Sequence, residues 1–182
     1  MTWRNTKEHY GPPAILLHWI MLLLLVAVYA CIELHEALPK GSDTREALKT
    51  WHFMLGLTVF VLAFIRLAVH PAGPEPLIVP APPSWQKALA TTAHVLLYVL
   101  MIAMPLLGWL LLSASGKPVP FWGMQLPALV AESKSVAAWV EEVHEAGGTA
   151  GYFLVALHAA AALYHHYFVR DNTLLRMLPE RK

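Results

Sequence analysis

The chain has 182 residues, enough for one domain. It is 57% hydrophobic and only 14% charged. Soluble domains carry about 25% charge, so the composition excludes an ordinary soluble fold and points to a membrane protein. A formal net charge of +1 gives no reason to expect nucleic acid as a partner, and the single cysteine, Cys31, excludes an internal disulfide.

Four stretches reach the roughly 20 mostly apolar residues that a bilayer crossing needs. The first runs from about Ala14 to Ile32. It has a basic flank, Arg4 and Lys7, but no small-x-small site follows and His18 interrupts its core, so it reads as a retained span rather than a signal peptide. "VYAC" departs from a lipoprotein cleavage box because Tyr29 is too large, and Cys31 reads as a small buried residue. The second span, about Trp51 to Val69, opens with His52 and ends near Arg66. A proline-rich strap, "HPAGPEPLIVPAPPSW", leads to the third, about Leu89 to Ser113, where Pro105 is a tolerated kink. The connection 114–146 mixes aromatic residues ("VPFWGMQLP") with a helical acidic stretch ("SKSVAAWVEEVHEAGG") that can run straight into the fourth span, about Gly147 to Val169. In lipid the backbone must satisfy its own hydrogen bonds, so all four are helices. The expected fold is an all-α integral membrane protein, a four-transmembrane-helix bundle in a single domain spanning 1–182.

Four spans put both termini on one side. That side holds Arg4, Lys7, Arg66, Lys87, Arg170, Arg176, Arg181 and Lys182, eight basic residues against Lys40, Arg45, Lys49, Lys117 and Lys134 on the other. The excess of basic residues places both termini in the cytoplasm.

The unusual count is histidine, ten in all. An ionisable group inside a membrane is costly and by default carries function, although a lone histidine is as often a structural hydrogen-bond partner of a neighbouring helix. His144 and His158 are 14 residues apart, which puts them within about 40° on one helix face and roughly 21 Å apart along it. That suits two stacked metal centres. Gly148 and Gly151 lie between them on that face, where glycine leaves room for a flat ligand or for close helix packing. At the outer level His52 matches His144, with Gly56 one turn on. At the inner level His18 needs a partner. By depth His165 fits as well as His158, and His94 is also inner, but pairing through His165 would separate the centres by roughly 31 Å, too far for efficient electron tunnelling. Zinc wants four ligands and a polar second shell, and no cysteine or carboxylate lies at matching depth. Haem needs two axial ligands and a flat apolar slot, which bundle cores supply. With no C-x-x-C-H motif it would be non-covalent. Two bis-histidine b-type haems are therefore expected, on His18, His52, His144 and His158.

The segments "ILLHWIMLLLLVAVY", "LKTWHFMLGLTVFVLAFIRL", "AHVLLYVLMIAMPLLGWLLLSA" and "ALHAAAALYHHYFVRDNTLLRML" resemble, in order, the four spans of the bacterial cytochrome b561 family of dihaem membrane proteins. The resemblance covers nearly the whole chain. It implies haem ligation by His18 with His158 and by His52 with His144, a place in the bacterial inner (cytoplasmic) membrane, superoxide as electron donor and ubiquinone as acceptor. No protein partner is implied. His94 is read as core packing, or as a contact to a haem propionate or a quinone oxygen. His165 shares the face of His158 and reaches towards the inner haem edge, while His166 points to the headgroups; His9, His35 and His70 fall in connections and receive no role.

Superoxide is a small anion, and a basic entrance speeds its capture. The outer segments carry five basic residues but also Glu33, Glu36, Asp43, Glu46, Glu132, Glu141, Glu142 and Glu145, a net of about −3. Only a local cluster can then steer, and Lys49, one turn before His52, and Lys117 are the candidates, although for each alone ordinary interface anchoring is the commoner role. Arg66 either pairs with an inner haem propionate or snorkels. Trp19, Trp51, Trp109, Phe121 and Trp122 are available as walls for a quinone. Two other roles share parts of this pattern: a cytochrome b electron-transfer subunit of a larger complex such as a hydrogenase, and a membrane carrier of transition-metal ions.

Overall fold

A computed structural model describes residues 3–71 and 73–179; Arg181 and Lys182, counted above for orientation, lie outside the described residues. Its frame is four long helices. Helix α1 is Pro12–Ala37, α2 Asp43–Val69, α3 Ser84–Ala114 and α4 Lys134–Tyr164, the last continued by a π-helical turn, His165–Val169. All four are long and apolar enough to cross a membrane. The chain is an all-α membrane protein.

The helices extend past the apolar runs because their ends are capped outside them. Pro12 and Pro13 open α1, where a missing N–H costs nothing. The far end of α1 is closed by Arg45, whose Nη1 donates to the carbonyls of His35 (2.6 Å) and Leu38 (2.8 Å) while Nη2 meets the Glu36 carboxylate. The Ser42 hydroxyl accepts from the Arg45 N–H to begin α2, with Asp43 and Glu46 in the first turn favoured by the helix dipole. At the end of α3, Gly116 (φ +66°) follows Ser115, Lys117 N–H reaches Leu112 O and Gly116 N–H reaches Ser113 O. This is a Schellman closure, which needs glycine at the left-handed position. Pro105 lies within α3 without ending it, as membrane helices allow. Ser133 caps α4 through the Val136 N–H, so the acidic stretch and the fourth span form one helix.

Between α3 and α4 the chain makes a small antiparallel hairpin, β1 Val119–Phe121 with β2 Met124–Leu126, in register Val119↔Leu126. Its turn, Trp122–Gly123, has φ +46° and +84°, the paired positive angles of a type I′ hairpin turn. A tryptophan holds that conformation because its indole N–H donates to Thr58 Oγ1 at 2.9 Å and its ring meets Trp51 edge-on. Val119 packs with Leu57 and Leu112, which docks the hairpin on α2 and α3.

Helix packing is unequal. α1 packs closely on α2, α2 on α3, and α3 on α4, whereas the backbone of α4 approaches α1 and α2 less closely. The core of Met21, Val59, Ala63 and Met101 accordingly joins α1, α2 and α3. α4 is therefore joined to the α1–α2 pair through side chains, and the histidines are among those that span this slot between the backbones.

Candidate functional site

At the outer level His52 of α2 faces His144 of α4, ring centroids 6.3 Å apart and planes at 76°. His52 Nδ1 lies 2.9 Å from the Val28 carbonyl, which can only accept, so Nδ1 carries the proton and Nε2 keeps its lone pair. His144 lies against Gly108, where an added Cβ would sit 3.5 Å from the ring. Its Nδ1 is buried without a hydrogen-bond partner among the described residues. The space before Gly56 is open, with nothing within 4 Å of where a Cβ would stand.

At the inner level His18 of α1 faces His158 of α4 at 6.2 Å, planes at 60°. This level holds more. His94 of α3 is 5.5 Å from His158, and Arg66 Nη2 donates to His18 Nδ1 at 2.9 Å. Arg66 also lies over the Tyr98 ring, 5.8 Å from its centroid.

A first-row metal ion bound by two opposed imidazoles sits about 2 Å from each nitrogen, and each centroid lies about 1 Å behind its nitrogen, so opposed ligands have centroids about 6 Å apart. Both pairs have that separation, and both span the side-chain layer between α4 and its neighbours. His52 of the outer pair also has the ligand chemistry, a free Nε2 backed by a carbonyl on Nδ1. The residues fit a flat group held from both faces by imidazole, the demand that b-type haem makes. Among the described residues no three metal-ligating side chains converge as a zinc site would require.

The remaining candidates are placed differently. In front of Gly151 stand the Tyr29 hydroxyl and Leu100, and in front of Gly147 the Met104 sulfur, while Gly148 has only Met104 Cε at 4.0 Å. Lys49 is half-buried and Lys117 exposed, and neither forms an ion pair among the described residues. Arg45, counted with them as an outer cation, is buried and committed to closing α1. Of the tryptophans, Trp19 donates to Met177 O, Trp109 to Pro127 O and Trp122 to Thr58, so these three indole donors are already used.

His165 begins the π-helical turn, and its Nδ1 lies 2.5 Å from the buried Asp171 carboxylate. Burial pushes the Asp171 pKa up, but hydrogen bonds from His165 and Thr173 outweigh it and hold the carboxyl below its ordinary range. The same segment clasps the proline strap: Asn172 bonds Val79 N–H and Leu77 O, and Arg176 bonds the Pro76 carbonyl.

His35, expected in a connection, lies instead in the last turn of α1, buried, with Nδ1 2.9 Å from Glu36. The polarity of "IELHEALPKGSD" hid this, because the closing guanidinium comes from ten residues further on. Tyr29 makes another contact that leaves no sequence signal: its hydroxyl donates to the Gly148 backbone carbonyl at 2.9 Å.

A profile of the prokaryotic cytochrome b561 family matches residues 9–180. The chain is 44% identical over 175 residues to cytochrome b561 homolog 1 of Escherichia coli K12, covering 96% of this chain and 99% of that one. It is 34% identical to the probable superoxide oxidase CybB of Yersinia pestis, covering 96% and 98%. It is 26% identical to cytochrome b561 homolog 2 of E. coli K12, covering 98% and 95%. With the helices, the paired imidazoles and this similarity together, the chain belongs to the prokaryotic cytochrome b561 family: it is an electron-transfer membrane protein whose implied cofactor is b-type haem.

Proposed function

We propose that this chain oxidises superoxide outside the bacterial inner membrane and passes the electrons to ubiquinone within it. Two b-type haems would be held on His52 with His144 and on His18 with His158. The observation that carries this reading is the pair of imidazole couples at 6.3 and 6.2 Å, stacked at two levels of one slot and sharing α4. The choice of donor is supported by the relative named a probable superoxide oxidase, at 34% identity.

When bound, haem supplies reversible one-electron exchange at iron. The balance is two superoxide anions and one quinone, with two protons, giving two dioxygen molecules and one quinol. The chain's own residues do the rest. The Val28 carbonyl orients His52 and raises its basicity as a ligand. At the inner level the Arg66 donation to His18 Nδ1 puts the ring proton on Nε2. Were His18 to hold haem through Nε2, Arg66 would have to give up that bond, and a haem propionate would offer it an anionic partner. His94 stands beside the same centre, available to a propionate or a quinone oxygen. His165, oriented by Asp171, stands towards the inner surface for a haem-edge or quinone contact. On the outer side Lys49 and Lys117 draw the anion in against a surrounding acidic surface. Both termini face the cytoplasm in this arrangement.

The test uses the purified chain alone in liposomes containing ubiquinone, with superoxide generated enzymatically outside. Quinol forming at a rate set by the amount of this chain, with no other protein present, is the expected result. Quinol formation no faster than in protein-free liposomes would reject the reading and leave the role of a subunit in a larger redox complex.

A further inference from the structure

The slot between α4 and α1–α2 is crossed at the outer and inner levels by the histidine couples and, between them, by Tyr29. On α1, Tyr29 is 11 residues beyond His18, which places it on the same face within about 20° and roughly 16 Å nearer the outer side. Its hydroxyl donates to the Gly148 carbonyl of α4. On α4, Gly148 and Gly151 lie between His144 and His158 and within about 40° of the His144 direction. The phenol therefore reaches the very face that carries both ligands, at a depth between them.

Its seat is built for it. The Tyr29 oxygen stands where a Cβ on residue 151 would be, so only glycine admits it there. Leu100 closes the same spot from α3, 3.0 Å from that position. The Tyr29 ring also packs against Tyr152, centroids 4.1 Å apart with planes tilted at 39°, and the Tyr152 hydroxyl is tied to the Glu33 carboxylate at 2.6 Å. Tyr29 is thus held by a hydrogen bond and a neighbouring ring, and its own donor is used. Its backbone neighbour Val28 supplies the carbonyl that orients His52, so a displacement of Tyr29 is felt at the outer couple.

We propose that Tyr29, seated on Gly148 and Gly151, is a positioning residue that partitions the slot into an outer and an inner compartment and fixes the spacing and orientation of the two redox groups. The inference rests on the two-haem reading above. A packed phenol between the compartments keeps two flat groups from sliding along a shared apolar slot, and it provides dense contact between them in place of solvent. Gly151 is then matched to Tyr29, an assignment distinct from giving room to the cofactor.

The experiment compares the purified full-length chain with Tyr29→Phe, Gly151→Ala and the double variant. Haem content is measured first. The readouts are the exciton couplet in Soret circular dichroism, which senses the mutual orientation and distance of two haems, and the rate of electron exchange between the centres after flash photoreduction. Gly151→Ala forces the phenol oxygen out of its seat and is expected to reduce the couplet by about half or more and slow exchange about tenfold, in the range of losses for residues that orient metal ligands. Removing that oxygen in the double variant should recover a large part of both, the non-additivity of two residues in contact, with Leu100 limiting full recovery. Two haems bound but a wild-type couplet and exchange rate in Gly151→Ala, or a double variant no better than Gly151→Ala, would overturn the assignment of Tyr29 and leave the two-haem reading standing. A wild-type chain with fewer than two haems would overturn both.

Discussion

The two histidine levels share a helix and nearly the same ring separation, yet they are built differently. At the outer level His52 has one partner ring across the slot and a backbone carbonyl behind it. At the inner level His158 lies between His18 and His94, and a guanidinium already occupies His18 Nδ1. A carbonyl cannot move or titrate, so the outer imidazole is set by the fold. An arginine side chain can swing, so the inner imidazole depends on where Arg66 lies. The outer couple is preorganised and the inner one adjustable; under the proposed function this would suit capture of superoxide at one end and exchange with a quinone at the other.

The largest effects should come from breaking one level at a time. His52→Ala is expected to remove the outer haem and His158→Ala the inner, each leaving the other in place. Haem quantification showing both groups retained in either variant would dissolve the two-level assignment. The next largest should be confined to the inner level: Arg66→Met removes the cation competing for His18 and should lower the inner midpoint potential by about 60 mV, tenfold in a one-electron equilibrium, because the oxidised, more positive form is no longer penalised. A shift of the outer potential instead, seen in a spectroelectrochemical titration, would mean that Arg66 serves the wrong centre. At the outer level Lys117→Glu should slow reaction with superoxide about threefold at low ionic strength and hardly at all at 0.5 M salt, since screening removes steering. Equal slowing at both strengths would take Lys117 out of the entrance.

The smallest effect belongs to the inner clasp. The Asp171 carboxyl is held below its ordinary range, so its contribution to stability is present above the unfolded carboxylate pKa and is lost as pH falls through the lower folded value. Asp171→Asn should therefore lower Tm at pH 7, and the difference from wild type should shrink on acidification below about pH 4. A difference that grows on acidification would place the stabilisation elsewhere.

Hydropathy alone made the four spans legible, because a bilayer forces helix on any apolar run of that length. The couples were legible through helical arithmetic: a separation of 14 residues returns nearly to the same face, and α4 indeed presents His144 and His158 to partners on two other helices. What escaped the sequence depended on distant or backbone partners. The hairpin turn uses Trp122 where asparagine is usual, and only Thr58 and Trp51, brought by another helix, make that choice stable. His35 became helical and buried because Arg45 closes α1 from beyond the connection. Tyr29 gave no signal because it binds a main-chain oxygen and fills a space that glycine merely leaves. The third ring at the inner level, His94 beside His158, was visible as a residue but its company was not.

The most direct measurement is the haem-to-chain ratio of the purified wild-type protein, read by haemochromogen absorbance with a dithionite-reduced spectrum. The expected result is two non-covalent b-type haems per polypeptide and an α-band composed of two components that reduce at separate potentials. A ratio of one, or a spectrum without a Soret band, would contradict it.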